Sequence, residues 1–304
     1  MRTLAIGGVL GLLVGAAPLH AGEPVQPYRE ALDRALTDER AKVAETEIWT
    51  DHSTWENAWV ATSTHYEVRT TQSFGLARDL AGGLDTLQGF FRSVLGSSHV
   101  PAQRAKVFVF PDIAAYNQFG QANNAAEHSS FYGSFHAVQA PDRPVAAVFD
   151  KNLTWLRIQI THSAAHQWLR EAYTNTPPTW VDEGLASYFS LYWHPRWGAG
   201  ELRKIIAEDR FLPLATLLAE PITGYSNRTD QRFIELGMLC SYLFHYREDT
   251  RTVEADGTVV RAPFRDYVVA LLEGRDTAAL PVHALFLDLP ALQQQFTTFE
   301  FGDK

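Results

Sequence analysis

The hydrophobic pattern of this chain changes period once, near Asp150, and that change restricts the folds open to it. Up to Asp150, short runs alternate with the period of two that strands require. Thr64-His65-Tyr66-Glu67-Val68-Arg69-Thr70 is one and Lys106–Phe110 is a second. Phe131–Val138 and Val145–Phe149 are two more, joined by a turn at Pro141-Asp142-Arg143-Pro144. Ser73 can cap a helix running to about Leu95, with Leu76, Leu80, Leu84, Leu87 and Phe91 on one face. Asp112 can cap a shorter helix through Phe119. Beyond Asp150 the pattern is helical: Leu153–Glu171, Trp180–Trp193, Glu201–Asp209, Asp230–Arg247, Pro263–Glu273 and Leu289–Phe296. Strands gathered in the first half and helices in the second predict an α+β fold. Residues 59–304 read as a single domain, strand-rich over 59–150 and helical over 151–304.

The remaining chain bounds the class of protein. With 304 residues, 46% of them hydrophobic, there is ample material for a core. The net charge of −9 argues against nucleic acid, whose phosphates demand a basic face. Arg2, the apolar Leu4–Ala17 run with its four glycines, and Ala21 before Gly22 read as a secretory signal peptide over 1–21. A charged, Ala-rich leader over 22–58 follows. The reading predicts a secreted or periplasmic protein. No later segment has the length and apolarity of a membrane span. Cys240 is the only cysteine, so no internal disulfide can form and the fold must stand on its core. Cys240 itself lies in the apolar stretch Leu236–Phe244 and reads as a small core residue.

The chemistry-bearing stretch is Thr161-His162-Ser163-Ala164-Ala165-His166-Gln167-Trp168-Leu169. His162 and His166 are four apart, which on a helix stacks both imidazoles on one face, where two rings can close on one metal ion. Glu183 follows His166 by seventeen residues, early on the next helix, after a Pro177-Pro178 break that fixes a helical hairpin. Two histidines and a glutamate form a three-ligand set with a fourth position left for water or substrate. Each part alone has a plainer reading. The histidine pair recurs by chance on helices, and Glu183 suits a solvated helix start.

His-x-x-x-His followed by Trp180-Val181-Asp182-Glu183-Gly184-Leu185-Ala186-Ser187-Tyr188-Phe189 resembles the gluzincin clan of zinc metallopeptidases. More narrowly it is similar to bacterial domains of unknown function of the DUF1570 type. The likeness covers residues 60 to 300 and is sharpest over 158 to 190. It implies a zincin-like α+β fold with a small, mostly antiparallel sheet packed on the helices that carry the metal. It also implies one zinc ion, Zn2+, held by His162, His166 and Glu183.

The same resemblance places a catalytic glutamate immediately after the first histidine, where it polarises the zinc-bound water and shuttles its proton. This chain has Ser163 there. A hydroxyl is far too weak a base, and the side chain is too short. General acid–base catalysis contributes on the order of 10²–10⁴ in rate. Three readings follow. The chain is a pseudopeptidase that keeps zinc and uses its cleft to bind a peptide or protein. Or it is a hydrolase whose base comes from elsewhere, Asp182 and Glu171 being the nearest carboxylates. Or the metal is lost too, and the histidines are remnants. Ser163→Glu should create activity if the cleft is otherwise intact.

Other residues carry weaker signals. Tyr225, Tyr242 and His245 are the candidates for stabilising an oxyanion, Tyr225 first among them. Trp180 and Tyr188 are expected to pack the two metal helices together. Trp168 continues the stripe of Leu156, Ile160 and Ala164 into the core. His128, His136 and His194 lack metal-ligand spacing, and the tripeptides at Asn152 and Asn227 match glycosylation acceptors. There is no Gly-rich phosphate loop and no nucleophile elbow.

Overall fold

Tyr66, Val68 and Thr70 alternate with Glu67 and Arg69, and the two sets go to opposite faces of a sheet. In the computed structural model, residues 51–122, 145–148, 153–191, 194–219, 229–247, 249–250 and 263–301 are described. The signal peptide, most of the leader and the expected strand Phe131–Val138 lie outside them. Strands β1 (Trp59–Thr62), β2 (Tyr66–Thr70), β3 (Ala105–Phe110) and β4 (Val145–Val148) form one sheet in that order. β1 and β2 are antiparallel, whereas β2–β3 and β3–β4 are parallel.

The expectation of a mostly antiparallel sheet is therefore corrected to a mixed one. The cause is helix α1 (Phe74–Leu95), which follows β2 and carries the chain back so that β3 starts at the same end. Ser73 caps α1 as expected, its Oγ accepting from the Leu76 N–H at 3.1 Å. Leu80, Leu84, Leu87 and Phe91 are wholly buried against the sheet and the later helices. Gly96, at φ 61°, ends the helix in the left-handed conformation that suits glycine. Helix α2 (Ile113–Ala122) follows β3, with Asp112 accepting from the Ala115 N–H.

The second half is helical: α3 (Leu153–Ala172), α4 (Thr179–Leu191), α5 (Pro195–Ala207), α6 (Leu214–Ala219), α7 (Thr229–Ser241), α8 (Pro263–Leu272), α9 (His283–Leu287) and α10 (Leu289–Thr297). The molecule is thus α+β. Leu156, Ile160, Ala164 and Trp168 form the buried stripe of α3. The Pro177-Pro178 break does the work the sequence assigned to it. Pro178 starts α4 by offering its carbonyl to the Val181 and Asp182 N–H groups.

α4 packs against α3 on one side and, most extensively, against α7 on another. The close approach of α4 and α7 needs glycine twice. A Cβ at Gly184 would meet the Cys240 sulfur at 2.9 Å, and one at Gly237 would meet Leu191 at 2.6 Å. Cys240 is a buried core residue. α5 starts six residues earlier than expected because Pro195 suits a first helical position. The last turn of the α7 segment, Tyr242–Tyr246, is π-helical, closed by Arg247 N–H to the Tyr242 carbonyl at 3.0 Å. Among the described residues no helix is long and apolar enough to cross a membrane.

Candidate metal centre

Consecutive turns of α3 bring His162 and His166 together, and the second turn of α4 brings Glu183 to them. His162 Nε2 lies 3.1 Å from His166 Nε2. Glu183 Oε2 lies 3.3 Å from the first of these nitrogens and 3.5 Å from the second. A tetrahedral cation with bonds of about 2.0–2.1 Å to nitrogen and oxygen requires ligand–ligand edges of roughly 3.3 Å. The triangle has that size, so one ion above its plane would reach all three atoms without rearrangement. Among the described residues this is the one group of three or more His, Cys, Asp or Glu side chains that could hold a metal ion.

The surroundings give the site a closed side and an open side. The His166 side chain is 0% exposed, whereas His162 is 12% and Glu183 21% exposed. Access to the triangle therefore runs over His162 and Glu183. The Phe233 ring of α7 flanks His162 at a centroid distance of 5.6 Å.

Behind His166 stands a second layer. His166 Nδ1 donates to Asp182 Oδ1 at 2.8 Å, and Arg170 Nη2 donates to Asp182 Oδ2 at 3.2 Å. A proton fixed on Nδ1 leaves the Nε2 lone pair aimed into the triangle, which is how a carboxylate prepares a histidine for a metal. Asp182 was a candidate base in the sequence, and its orienting role was missed. The signal was present in the spacing: Arg170 lies one turn beyond His166 on the same face.

Burial by itself would lower the His166 pKa, but Asp182 and Glu183 raise it to about 10. Burial likewise would raise the Glu183 carboxyl, and the two histidines hold it well below the usual range. His162, dominated by its burial, is pushed down. Without a cation the cluster thus holds one proton on the His166 side, balanced by Glu183 and Asp182.

Ser163 is fully buried, and its Oγ has no hydrogen-bond partner among the described residues. The hydroxyl bonds to neither histidine, so no serine–histidine pair forms. The other carboxylate considered, Glu171, acts on Tyr66 of β2, whose hydroxyl is raised chiefly by burial.

The expected oxyanion candidates scatter. Tyr225 lies outside the described residues. Tyr242 packs among Phe296, Phe299 and Phe301 near the C-terminus. His245 Nε2 is hydrogen-bonded to the Tyr188 hydroxyl at 2.7 Å, and burial lowers its pKa to about 4, so it is neutral. The ring partner of Trp180 is Phe286, and those of Tyr188 include Phe244, so both tie α4 to later parts of the chain. His194 stands at the start of α5. His128, His136, Asn152 and Asn227 lie outside the described residues.

No family model, curated protein or solved structure matches this chain. The gluzincin likeness accordingly stays with the residues that carry it.

Proposed function

We propose that this chain is a secreted, gluzincin-like zinc-binding protein that has lost peptidase chemistry and uses the cleft at its metal to hold a peptide or protein segment. The observation that carries this reading is the pairing of an intact triangle with an enclosed Ser163. The three ligand atoms are 3.1–3.5 Å apart, while Ser163 is wholly buried. His162 and His166 would offer their Nε2 lone pairs to the cation, and Glu183 would offer Oε2. The donor set of two imidazoles and one carboxylate is one that zinc accepts while keeping a position free. When bound, zinc supplies Lewis acidity to an oxygen atom at that free position.

Among the described residues no free base stands beside it. Ser163 cannot take a proton near neutral pH. Asp182 has one carboxylate oxygen on His166 and the other on Arg170. With no described group free to move a proton, an oxygen-bearing ligand is gripped rather than cleaved. The apolar N-terminal stretch supports export.

Metal analysis of the purified protein after zinc loading and dialysis tests the reading. One zinc per chain is expected, falling to none in His166→Ala. Peptide and casein turnover is expected to stay at background with or without chelator. A chain that retains no zinc, or one with chelator-sensitive hydrolysis, overturns the proposal.

A further inference from the structure

Arg170 has no place in a three-ligand site, yet it lies on the same chain of contacts. It stands four residues beyond His166 on α3, and its guanidinium reaches across the hairpin to Asp182 Oδ2 at 3.2 Å. The other oxygen of that carboxylate, Oδ1, accepts from His166 Nδ1 at 2.8 Å. We propose that Arg170 is a positioning residue for the metal centre, fixing the plane of the Asp182 carboxylate and through it the direction of the His166 lone pair. The inference rests on the zinc reading above and extends it to a residue outside the ligand set.

The geometry makes Asp182 need such an anchor. Asp182 and Glu183 are adjacent in sequence, and both carboxylates turn toward the histidines. Like charges side by side repel, and water competes for Asp182, which is 17% exposed. Held only by His166, the carboxylate would be free to swing toward solvent and take the ring with it. A guanidinium on the second oxygen removes that freedom and offsets the extra negative charge. Arg170 is itself a cation, and its direct effect on a bound ion is repulsive. An imidazole ring and a carboxylate separate it from the triangle, however. The Asp182 carboxylate that lies between them is paired with the guanidinium, and its negative charge offsets that repulsion. Orientation therefore outweighs repulsion.

The experiment compares zinc affinity, by competition with a chromophoric chelator, in wild type, Arg170→Met, Arg170→Lys, Asp182→Ala and the Arg170→Met/Asp182→Ala double variant. Cobalt absorption spectra are recorded in parallel. Loss of a group behind a metal-bound histidine lowers affinity by roughly 10–100-fold. Arg170→Met is expected near the lower end of that range, with weakened cobalt d–d bands as the tetrahedral field relaxes. Arg170→Lys should recover part of both. In the Asp182→Ala background the arginine substitution should add less than about twofold, because its effect passes through that carboxylate.

A wild type that binds no zinc overturns the metal reading and this inference with it. A wild type that binds zinc, with Arg170→Met equal to it in affinity and spectrum, overturns the inference alone. So do losses that multiply in the double variant. Arg170→Lys covers the case in which the methionine variant fails to fold, since it keeps the charge at a partly exposed position. If it too binds and absorbs unlike wild type while its metal-free melt is unchanged, the inference stands.

Discussion

The sulfur of Cys240 sits where a side chain on Gly184 would have to begin: a Cβ there would meet it at 2.9 Å. Gly184 directly follows the ligand Glu183, so the contact governs both helix spacing and the seat of the carboxylate. Alanine in a helix interior is worth up to about 1 kcal/mol over glycine, whereas forcing a methyl into a filled core costs about 1–3 kcal/mol. Overpacking wins. Gly184→Ala is expected to lower the urea midpoint of the metal-free protein and to weaken zinc binding. Adding Cys240→Ala should restore most of both, because the remaining neighbours, on Leu236, lie at 3.7–3.8 Å. No recovery in the double variant would show that the sulfur is not the obstacle.

The proton held by the empty cluster gives the metal-free protein its own pH profile. The pKa of His166 rises on folding from 6.5 to about 10, so its stabilisation is complete below pH 6.5 and is lost as pH climbs toward 10. The Asp182 and Glu183 carboxyls are lowered from 3.8 and 4.5, so their contribution is present above those values and is lost on acidification. The buried histidines His162 and His245, lowered from 6.5, cost stability as pH falls below 6.5, so stability in chelator should be greatest near pH 6.5 and decline on the alkaline side through His166. Zinc requires a neutral His166, which leaves nothing to lose there, and the His166 share of the decline should vanish in the loaded protein. Urea midpoints from pH 5 to 9, with chelator and with zinc, test this; parallel curves would contradict it.

Ser163 offers a paired test. Its Oγ is buried and has no hydrogen-bond partner among the described residues, a condition that costs about 1–3 kcal/mol. Ser163→Ala should leave stability unchanged or raise it by about 1 kcal/mol. Ser163→Glu must bury a carboxylate where no surface is open to solvent. It should destabilise by several kcal/mol and produce no chelator-sensitive turnover. Thermal melts and a peptide assay on both variants suffice, and a stable, active Ser163→Glu would mean the catalytic cleft is intact.

Glu235 on α7 is fully buried, accepting through Oε1 from the Leu212 N–H at 3.1 Å and from Gln231 at 2.7 Å. Burial raises its pKa from 4.5 to about 7 despite those donors and the nearby Arg232. A raised carboxyl contributes most below pH 4.5 and withdraws that contribution as pH rises through 7. Glu235→Gln should match wild type at pH 5 and melt higher than wild type at pH 8. An equal difference at both pH values would locate the effect elsewhere.

Much of this was legible in the sequence where a local rule was strong. Ser73 and the apolar face from Leu76 to Phe91 defined α1, because capping and a 3.6-residue period reinforce each other. The His162–His166 spacing and the Pro177-Pro178 break were enough to bring Glu183 to both histidines. Strand direction was not legible, since alternation assigns faces and says nothing of polarity; the parallel β2–β3 pairing depends on where α1 delivers the chain. α6 and α9, six and five residues long, are too short for a helical period to register. Tyr242 and His245 sat in a recognisable helix, but their partners come from the C-terminal aromatics and from Tyr188, which only tertiary packing decides.

The π turn at Tyr242–Tyr246 acts as a one-residue shim in an otherwise ordinary helix. Each residue of an α-helix advances the direction of its side chain by about 100°. Winding the same five residues as ordinary α-helix would swing everything after them around the axis by roughly 90°, parting His245 from Tyr188 and Tyr246 from Phe299 and Phe301. The seam that holds the tail against the helical layer thus depends on where the chain takes up its surplus residue, and an insertion or deletion elsewhere in the helix would have no such slack to draw on.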